Sequence, residues 1–201
     1  MKKGWLIGLG CLGAIILAVA VLLTSVWGTY NSIIIQQQNV ETKWAQVENV
    51  YQRRADLVPN LVATVKGYAS HESSVLEAVT ASRAQAGSIQ MTPEMLNDPA
   101  AMQKFQQAQA GLSSALSRLL VVVEQYPNLK ADQTFLTLQS QLEGTENRIT
   151  VERMRFNEAA KEFNTYIRQF PKVILANMFG FREKPYFKAQ EGADQVPEVK
   201  F

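Results

Sequence analysis

The sequence has little of the chemistry on which most catalytic centres depend. Its 201 residues include a single cysteine, Cys11, and a single histidine, His71. One cysteine excludes an intrachain disulfide and a cysteine-based metal cluster. His71-Glu72 begins like the zinc-binding motif His-Glu-x-x-His, but Val75 occupies the position of the second histidine. The sequence therefore predicts no metal site, and it gives His71 a structural role, with proton transfer beside Glu72 as the alternative.

Other catalytic and binding patterns are also missing. The sequence has no nucleophile elbow, no glycine-rich phosphate loop and no clustered carboxylate pair. A net charge of +2 without a basic stripe interleaved with aromatic residues argues against nucleic acid as a partner. We therefore expect no enzyme activity, no catalytic residues and no cofactor.

A long apolar segment occupies the N-terminus. No charged residue occurs from Gly4 to Gly28, and at about 1.5 Å per residue this segment exceeds the roughly 30 Å hydrocarbon layer. A cleaved signal peptide is the alternative, but the apolar run continues past the small residues 18–20. A lipoprotein site at Cys11 fits less well, because Gly8 stands where a branched apolar residue is expected. The segment is predicted to be a single membrane span.

The charges around the span predict its orientation. Lys2 and Lys3 precede it, whereas Lys43, flanked by Glu41 and Glu48, is the only basic residue soon after it. The positive-inside rule places the N-terminus in the cytoplasm and the bulk of the chain outside it. The predicted organisation is a cytoplasmic tip and span (1–29), a helical bundle (30–170) and an aromatic and basic C-terminal segment (171–201), whose residues 189–201 look loose.

A proline stands inside a long helical pattern. Apolar residues recur in steps of three and four on both sides of Pro59, at Val40, Trp44, Val47, Tyr51, Val58, Leu61, Val65, Tyr68, Val75 and Val79. Because the phase is kept, we predict one helix from about Tyr30 to Gln85, kinked at Pro59, whose missing amide frees the carbonyl of Ala55. The alternative is a four-helix bundle with a hairpin at Pro59.

Two further helices follow the same pattern. Asp98-Pro99 predicts the start of one that ends near Tyr126, and Asp132 predicts the N-cap of another that ends near Phe170. No strand pattern competes. The predicted fold is all-α: a transmembrane helix followed by an antiparallel, coiled-coil-like bundle of three long helices.

These helices carry motifs that resemble the LemA family. The motifs are Arg53–Val62, Val65–Tyr68, His71-Glu72, Arg83-Ala84, Glu152-Arg153, Phe156-Asn157, Phe163-Asn164, Arg168, Phe170-Pro171, Gly180-Phe181 and Tyr186-Phe187. With the N-terminal span, the resemblance covers nearly the whole chain. It implies a bacterial single-pass protein of the cytoplasmic membrane, with an all-helical domain and no established enzymatic reaction.

Charged and small residues interrupt the apolar pattern at particular positions. Arg54, Glu72 and Glu152 occupy positions of the apolar seams, where they are predicted to form a polar layer that fixes helix register. The alternative is that their side chains reach solvent from the seam edge. In the span, Gly10, Ala14 and Ala18 repeat at four-residue spacing, which favours helix association in lipid.

The helix lengths predict self-association. A first helix of about 84 Å and a second of about 42 Å would leave the seam of Val40, Trp44, Val47 and Tyr51 without an intrachain partner. An uncovered apolar stripe buries itself against another helix, so we expect a homo-oligomer closed through this stalk.

The C-terminal segment combines aromatic and basic residues. Met178, Phe179 and Phe181 lie between Lys172 and later basic residues, as in an interfacial membrane segment. The alternative is that they cover the end of the bundle.

The predicted function follows from these features. It is that of a membrane-anchored, self-assembling scaffold, with lipid and other copies of the chain as partners. The main alternative is an adaptor that presents a helical surface to an envelope membrane protein or protease, and an envelope hydrolase is a distant third.

Overall fold

The structure, a computed structural model, describes the backbone of residues 2–188 and the side chains of residues 12–188. Its elements in order are α1 (Lys2–Tyr68), α2 (Ser73–Ser88), a short 3-10 helix (Met95–Asn97), α3 (Pro99–Val123), α4 (Pro127–Lys130), α5 (Gln133–Arg168) and α6 (Lys172–Phe179). The described residues contain no strand. The predicted all-α fold, an apolar N-terminal helix followed by a helical bundle, is confirmed.

Helix α1 joins the apolar segment to the bundle without interruption. It has 67 residues, about 100 Å at 1.5 Å per residue, and it continues through Pro59 as predicted. Its apolar window beyond Leu12 is long and apolar enough to cross a membrane, and no part of that window is buried by the protein. From Ile33 onward, α1 buries one face in the bundle.

The chain reverses direction where the sequence predicts a continuous helix. Helix α1 ends at Tyr68, a turn covers residues 69–72, and α2 begins at Ser73. The predicted helix from Tyr30 to Gln85 is therefore wrong beyond Tyr68. The buried face shifts by one residue at the break, because Tyr68 is 47 % exposed whereas Ala69 is fully buried. The bundle has four helices, as in the alternative, but its first reversal lies ten residues beyond Pro59.

This early reversal sets the direction of every later helix. Helix α2 returns beside α1, α3 runs outward again beside α2, and α5 returns along α1. The distal turns meet, since the Tyr68 hydroxyl donates to Asp132 at 3.0 Å and the Tyr126 hydroxyl donates to Glu72 at 3.0 Å. With 36 residues, α5 is long enough to follow α1 back to Ile33.

The predicted helix starts are confirmed by their caps. The Asp98 carboxylate accepts the Ala100 amide at 2.8 Å, with Pro99 as the first helical residue. The Asp132 carboxylate accepts the Phe135 amide at 2.9 Å. Both satisfy backbone donors that have no partner within the helix.

The buried residues form two clusters. The membrane-proximal core joins α1, residues 89–97, the start of α3, the end of α5, α6 and Phe187. The distal core joins the outer part of α1 with α2, α3, α4 and the first half of α5. The proximal core therefore lies next to the apolar span, and the distal core closes the far end of the molecule.

Candidate functional site

Four aromatic rings form the centre of the membrane-proximal core. The Trp44 ring lies 5.2 Å from Phe105, 5.4 Å from Phe156 and 5.8 Å from Phe187, measured between centroids. The first two contacts are edge-on and the third is nearly parallel, at 12°. Such pairs contribute about 0.5–1.5 kcal/mol beyond area burial. Because the rings come from α1, α3, α5 and the C-terminal segment, they join the two ends of the chain.

The C-terminal segment is an extended strap, here residues 180–188. Gly180 ends α6 with φ +76°, a conformation that side chains other than glycine's rarely adopt. The strap then runs along α5, where two asparagines hold its backbone. Asn164 donates to the Lys184 carbonyl at 2.9 Å and accepts the Lys184 amide at 2.7 Å. Asn157 bonds the carbonyl and amide of Phe187 at 3.0 and 2.8 Å.

The spacing of the two asparagines matches the strap. Asn157 and Asn164 lie seven residues apart on a helix, about 10.5 Å. Lys184 and Phe187 are three residues apart in an extended chain, about 10 Å. Each carboxamide replaces the strand neighbour that an extended backbone needs to satisfy its polar groups. The strap is therefore held in one register along α5.

Lys184 fixes the middle of the strap in the core. The residue is 2 % exposed, its ammonium donates to the Asn97 side chain at 2.6 Å, and it lies 5.5 Å from the centroid of the Phe163 ring. Burial lowers the pKa of Lys184, and the charge of Glu41 opposes that effect. These contacts tie the strap to the short 3-10 helix before α3 as well as to α5.

The strap contacts are not among the features predicted from the sequence. The sequence does contain a repeat that marks these positions. The dipeptide Phe156-Asn157 recurs seven residues later as Phe163-Asn164. Both phenylalanines are fully buried, so each asparagine follows a core residue on α5. Phenylalanines at that spacing are typical of an ordinary helix seam, and asparagines beside them are typical of a solvent-exposed helix edge. The repeat therefore does not by itself indicate a bound strap.

The predicted stalk interface is wrong, because the chain covers that seam itself. Val40 and Val47 are fully buried, Trp44 is 3 % exposed and Tyr51 is 7 % exposed. They pack against α5, the start of α3 and the strap. The seam is covered because α5 runs toward the membrane, not away from it, once the chain has reversed after Tyr68.

Arg54 forms a buried polar contact between three helices. It is 1 % exposed, and its guanidinium donates to Glu146 of α5 at 2.9 Å, to Ser113 of α3 at 2.8 Å and to Gln109. The Arg54 Nε has no hydrogen-bond partner among the residues that the structure describes. Glu146 is partly exposed, so the ion pair reaches solvent at one end. The sequence predicted a polar contact at Arg54 that fixes helix register, but it did not identify Glu146 as the partner.

The other two predicted members of the polar layer lie elsewhere. Glu72 lies in the turn between α1 and α2, where it accepts the Tyr126 hydroxyl. Glu152 pairs with Arg155 within α5, at 2.7 Å. Arg54, Glu72 and Glu152 therefore stabilise three separate places and do not form one layer.

The carbonyl freed by Pro59 has a specific partner. The Arg83 side chain of α2 donates from Nε to the Ala55 carbonyl at 2.8 Å. A buried carbonyl without a partner costs free energy of folding, so this bond compensates for the missing amide of Pro59. The position of Pro59 thereby becomes a contact between α1 and α2.

The predicted membrane-contact residues lie at the base of the bundle. Phe179 is 48 % exposed and its ring lies 4.9 Å from that of Tyr30. Phe181 is half-buried, 5.9 Å from the same ring. Met178 is 64 % exposed. Helix α6 therefore lies beside the point where α1 leaves its apolar segment.

The bundle does not bury the small residues of the apolar segment whose side chains are described. Ala14 and Ala18 are exposed, and Gly10 lies outside the residues whose side chains the structure describes. Their role in association between copies stays a prediction.

The described polar groups hold structure and do not converge on a reaction centre. Among residues 12–188, no group of three or more His, Cys, Asp or Glu side chains could hold a metal ion. His71 is exposed in the turn before α2. A groove of about 230 Å³ between α1, α2 and α3 is lined in part by Tyr51 and Gln109. Burial raises the pKa of Tyr51, so its hydroxyl stays neutral there.

Comparisons with known proteins fit this architecture. The chain is 27 % identical over 195 residues to the magnetosome protein MamQ of Magnetospirillum gryphiswaldense, which covers 89 % of this chain and 72 % of that protein. MamQ 1 and MamQ 2 of Paramagnetospirillum magneticum match with the same identity and coverage. The profile of the LemA family matches residues 43–201, most of the bundle and the C-terminal segment. The chain therefore belongs to the LemA family and is a membrane-associated helical protein.

Proposed function

We propose that this protein is a non-enzymatic, membrane-anchored scaffold of the bacterial cytoplasmic membrane. The observation that carries the proposal is the continuity of α1, which is at once the apolar segment and the central helix of the bundle. Because α1 has no flexible linker, the span and the bundle move as one unit. The bonding of Arg54 and Asn164 to structural partners further supports a role in holding shape.

The proposed orientation places the bundle outside the cytoplasm. It rests on Lys2 and Lys3 before the span and on the balanced charge after it. In a Cys11→Ala background, Ser88→Cys introduces one exposed thiol at the end of α2. An impermeant thiol reagent should label it on intact cells. Labelling only after the cells are opened would place the bundle in the cytoplasm.

Self-association is proposed through the span, since the stalk seam is buried. Ala14 and Ala18 share one face with Gly10, and small residues allow two helices to approach closely in lipid. The bundle also offers exposed apolar side chains on α5, Val151 and Met154, as a second place of contact. Contact through the span would position several bundles side by side.

The test compares two matched substitutions in the full-length protein. Ala18→Ile adds bulk to the small-residue face, whereas Ala20→Ile adds the same bulk about 160° away on the helix. Extraction in mild detergent, native sizing and imaging should show a multi-copy particle that Ala18→Ile dissociates and Ala20→Ile leaves intact. If the wild-type protein is a monomer by native sizing, the scaffold proposal is wrong. An assembly unaffected by either change would move the contact away from this face.

An adaptor is the second candidate. It is favoured by Val151 and Met154, which are 39 % and 62 % exposed one turn apart on α5. A detergent-extracted monomer that retains a second membrane protein, and loses it after Met154→Asp, would favour the adaptor over the scaffold.

A further inference from the structure

Helix α6 has one apolar face that nothing in the bundle covers. Ile174 and Met178, one turn apart, are 57 % and 64 % exposed, and the preceding Phe170 is 81 % exposed. Ala176, on the opposite side of the helix, is 2 % exposed and belongs to the membrane-proximal core. The helix therefore packs on the bundle through Ala176 and presents Ile174 and Met178 outward.

The attachment of α6 to α1 fixes its height relative to the membrane. The Phe179 ring contacts Tyr30, which lies two residues, or about 3 Å, beyond the apolar run that ends at Gly28. The polar zone on each side of a bilayer is roughly 5–7 Å deep. Because α1 is continuous there, Tyr30 and the α6 residues packed on it lie at the level of the lipid headgroups.

The surrounding residues are those expected at a membrane interface. Trp27 is 75 % exposed and Tyr30 is 37 % exposed, and aromatic residues of this kind concentrate at the boundary between lipid and water. Arg168, Lys172 and Arg182 flank α6, whereas Glu183, paired with Arg168 at 3.6 Å, is the nearby acidic residue. This excess of positive charge complements lipid phosphates.

We propose that α6 is an interfacial membrane helix, with Ile174 and Met178 inserted at the headgroup boundary of the bilayer that α1 crosses. The bundle then has two membrane contacts, the span and α6. A single span leaves the tilt of the whole rod in the bilayer free, and the second contact restrains that tilt. The inference rests on membrane attachment alone and does not depend on self-association.

The test measures lipid contact directly in the full-length protein. Met178→Cys and the control Met154→Cys, each in a Cys11→Ala background, carry an environment-sensitive fluorophore. Met154 is also exposed, but it lies about 21 Å along α5 from Arg168, where that helix ends near the membrane. The labelled proteins are placed in vesicles of phosphatidylcholine and phosphatidylglycerol, with and without lipids that carry a quencher near the top of the acyl chain.

Lipid quenching should be several-fold stronger at position 178 than at position 154. Equal, weak quenching at both positions would overturn the proposal. Protection of position 178 from aqueous iodide without lipid quenching would also overturn it, because another protein surface would then cover α6.

A second variant tests whether the apolar face is the cause. In Met178→Asp, a fluorophore on Ile174→Cys should lose most of its lipid quenching, while the helical content is unchanged because both side chains are exposed. Met154→Asp is the matched control and should leave the quenching at position 174 as it was. Unchanged quenching in Met178→Asp would contradict insertion through this face.

Discussion

The two halves of the bundle are stabilised in different ways. The distal core is mainly aliphatic and comes from helices that follow one another through short turns. The membrane-proximal core has an aromatic centre and joins segments as distant as Trp44 and Phe187. Repeating apolar positions on the helices are enough to build the distal core. The second also needs side-chain bonds to backbone, because an extended strap has no helix or strand of its own.

Two polar contacts lie where the halves meet. Arg54 links α1 to α3 and α5, and Arg83 links α2 to the Ala55 carbonyl. Both satisfy groups whose burial would otherwise cost free energy. The junction therefore fixes register between the halves, and apolar packing supplies most of the stability on either side.

The largest expected effect is the loss of the folded membrane-proximal core, with the distal core left intact. Val47→Glu buries a carboxylate in a fully buried position without a partner, which should cost several kcal/mol and unfold the proximal core. Gln46→Glu adds the same charge at an exposed neighbour and should change little. Near-ultraviolet circular dichroism and urea unfolding measure both. If Val47→Glu stays folded and only changes the number of copies in the particle, the seam is an intermolecular interface after all.

The second prediction separates the strap from the rest of the proximal half. Asn164→Ala removes both bonds to the Lys184 backbone and should cost about 1–3 kcal/mol. Hydrogen exchange at the Lys184 amide should rise about ten-fold or more, while amides of the distal core keep their rates. Asn147→Ala, at an exposed position of α5, is the control. Unchanged exchange at Lys184 would mean that the asparagine does not hold the strap.

The third prediction concerns the junction and is a double-mutant cycle. Arg83→Ala leaves the Ala55 carbonyl without its partner and should cost about 1–2 kcal/mol. Pro59→Ala supplies a backbone amide to the same carbonyl and should leave the protein folded and at least as stable. Arg83→Ala should therefore cost about 1 kcal/mol less in the Pro59→Ala background. Simple additivity in urea unfolding would show that the two residues do not share this carbonyl.

The smallest expected effect is a pH dependence of stability that has the same sign in the two halves but lies in different pH ranges. The Phe135 amide, then the Tyr68 hydroxyl, hold the pKa of Asp132 below its usual value. This stabilisation is present above the unfolded pKa and is lost as the pH falls through the folded pKa, below about pH 4. In Asp132→Asn, the free energy of unfolding of the distal half should therefore depend less on pH below about pH 4.

In the proximal half, Lys184 gives a slope of the same sign at alkaline pH. Because burial lowers its pKa, the unfolded chain holds this proton more tightly, and stability rises with pH between the folded and unfolded pKa values. Lys184→Met should remove that alkaline slope. A proximal half without a slope in the wild type would contradict the lowered pKa.

Much of the helical framework follows from local sequence. Asp98 and Asp132 are capping residues in the expected places, and the apolar seams of α3 and α5 are buried over most of their length. The turn after Tyr68 was missed because the three-and-four spacing is kept across it. Gly67 and the serines at positions 70, 73 and 74 mark it only weakly. That error reversed the directions of α3 and α5 and made a covered seam look open.

The sequence by itself determined the composition of the parts: an apolar helix long enough for a membrane, a helix that continues through Pro59, and capped helices with one apolar face each. These depend on residues within a few turns of one another, so local spacing reveals them. The tertiary structure alone decided what covers Trp44, that Arg54 pairs with Glu146, and that Asn157 and Asn164 hold the strap. Such contacts join residues far apart in the chain, and the position of a single turn determines which surfaces meet.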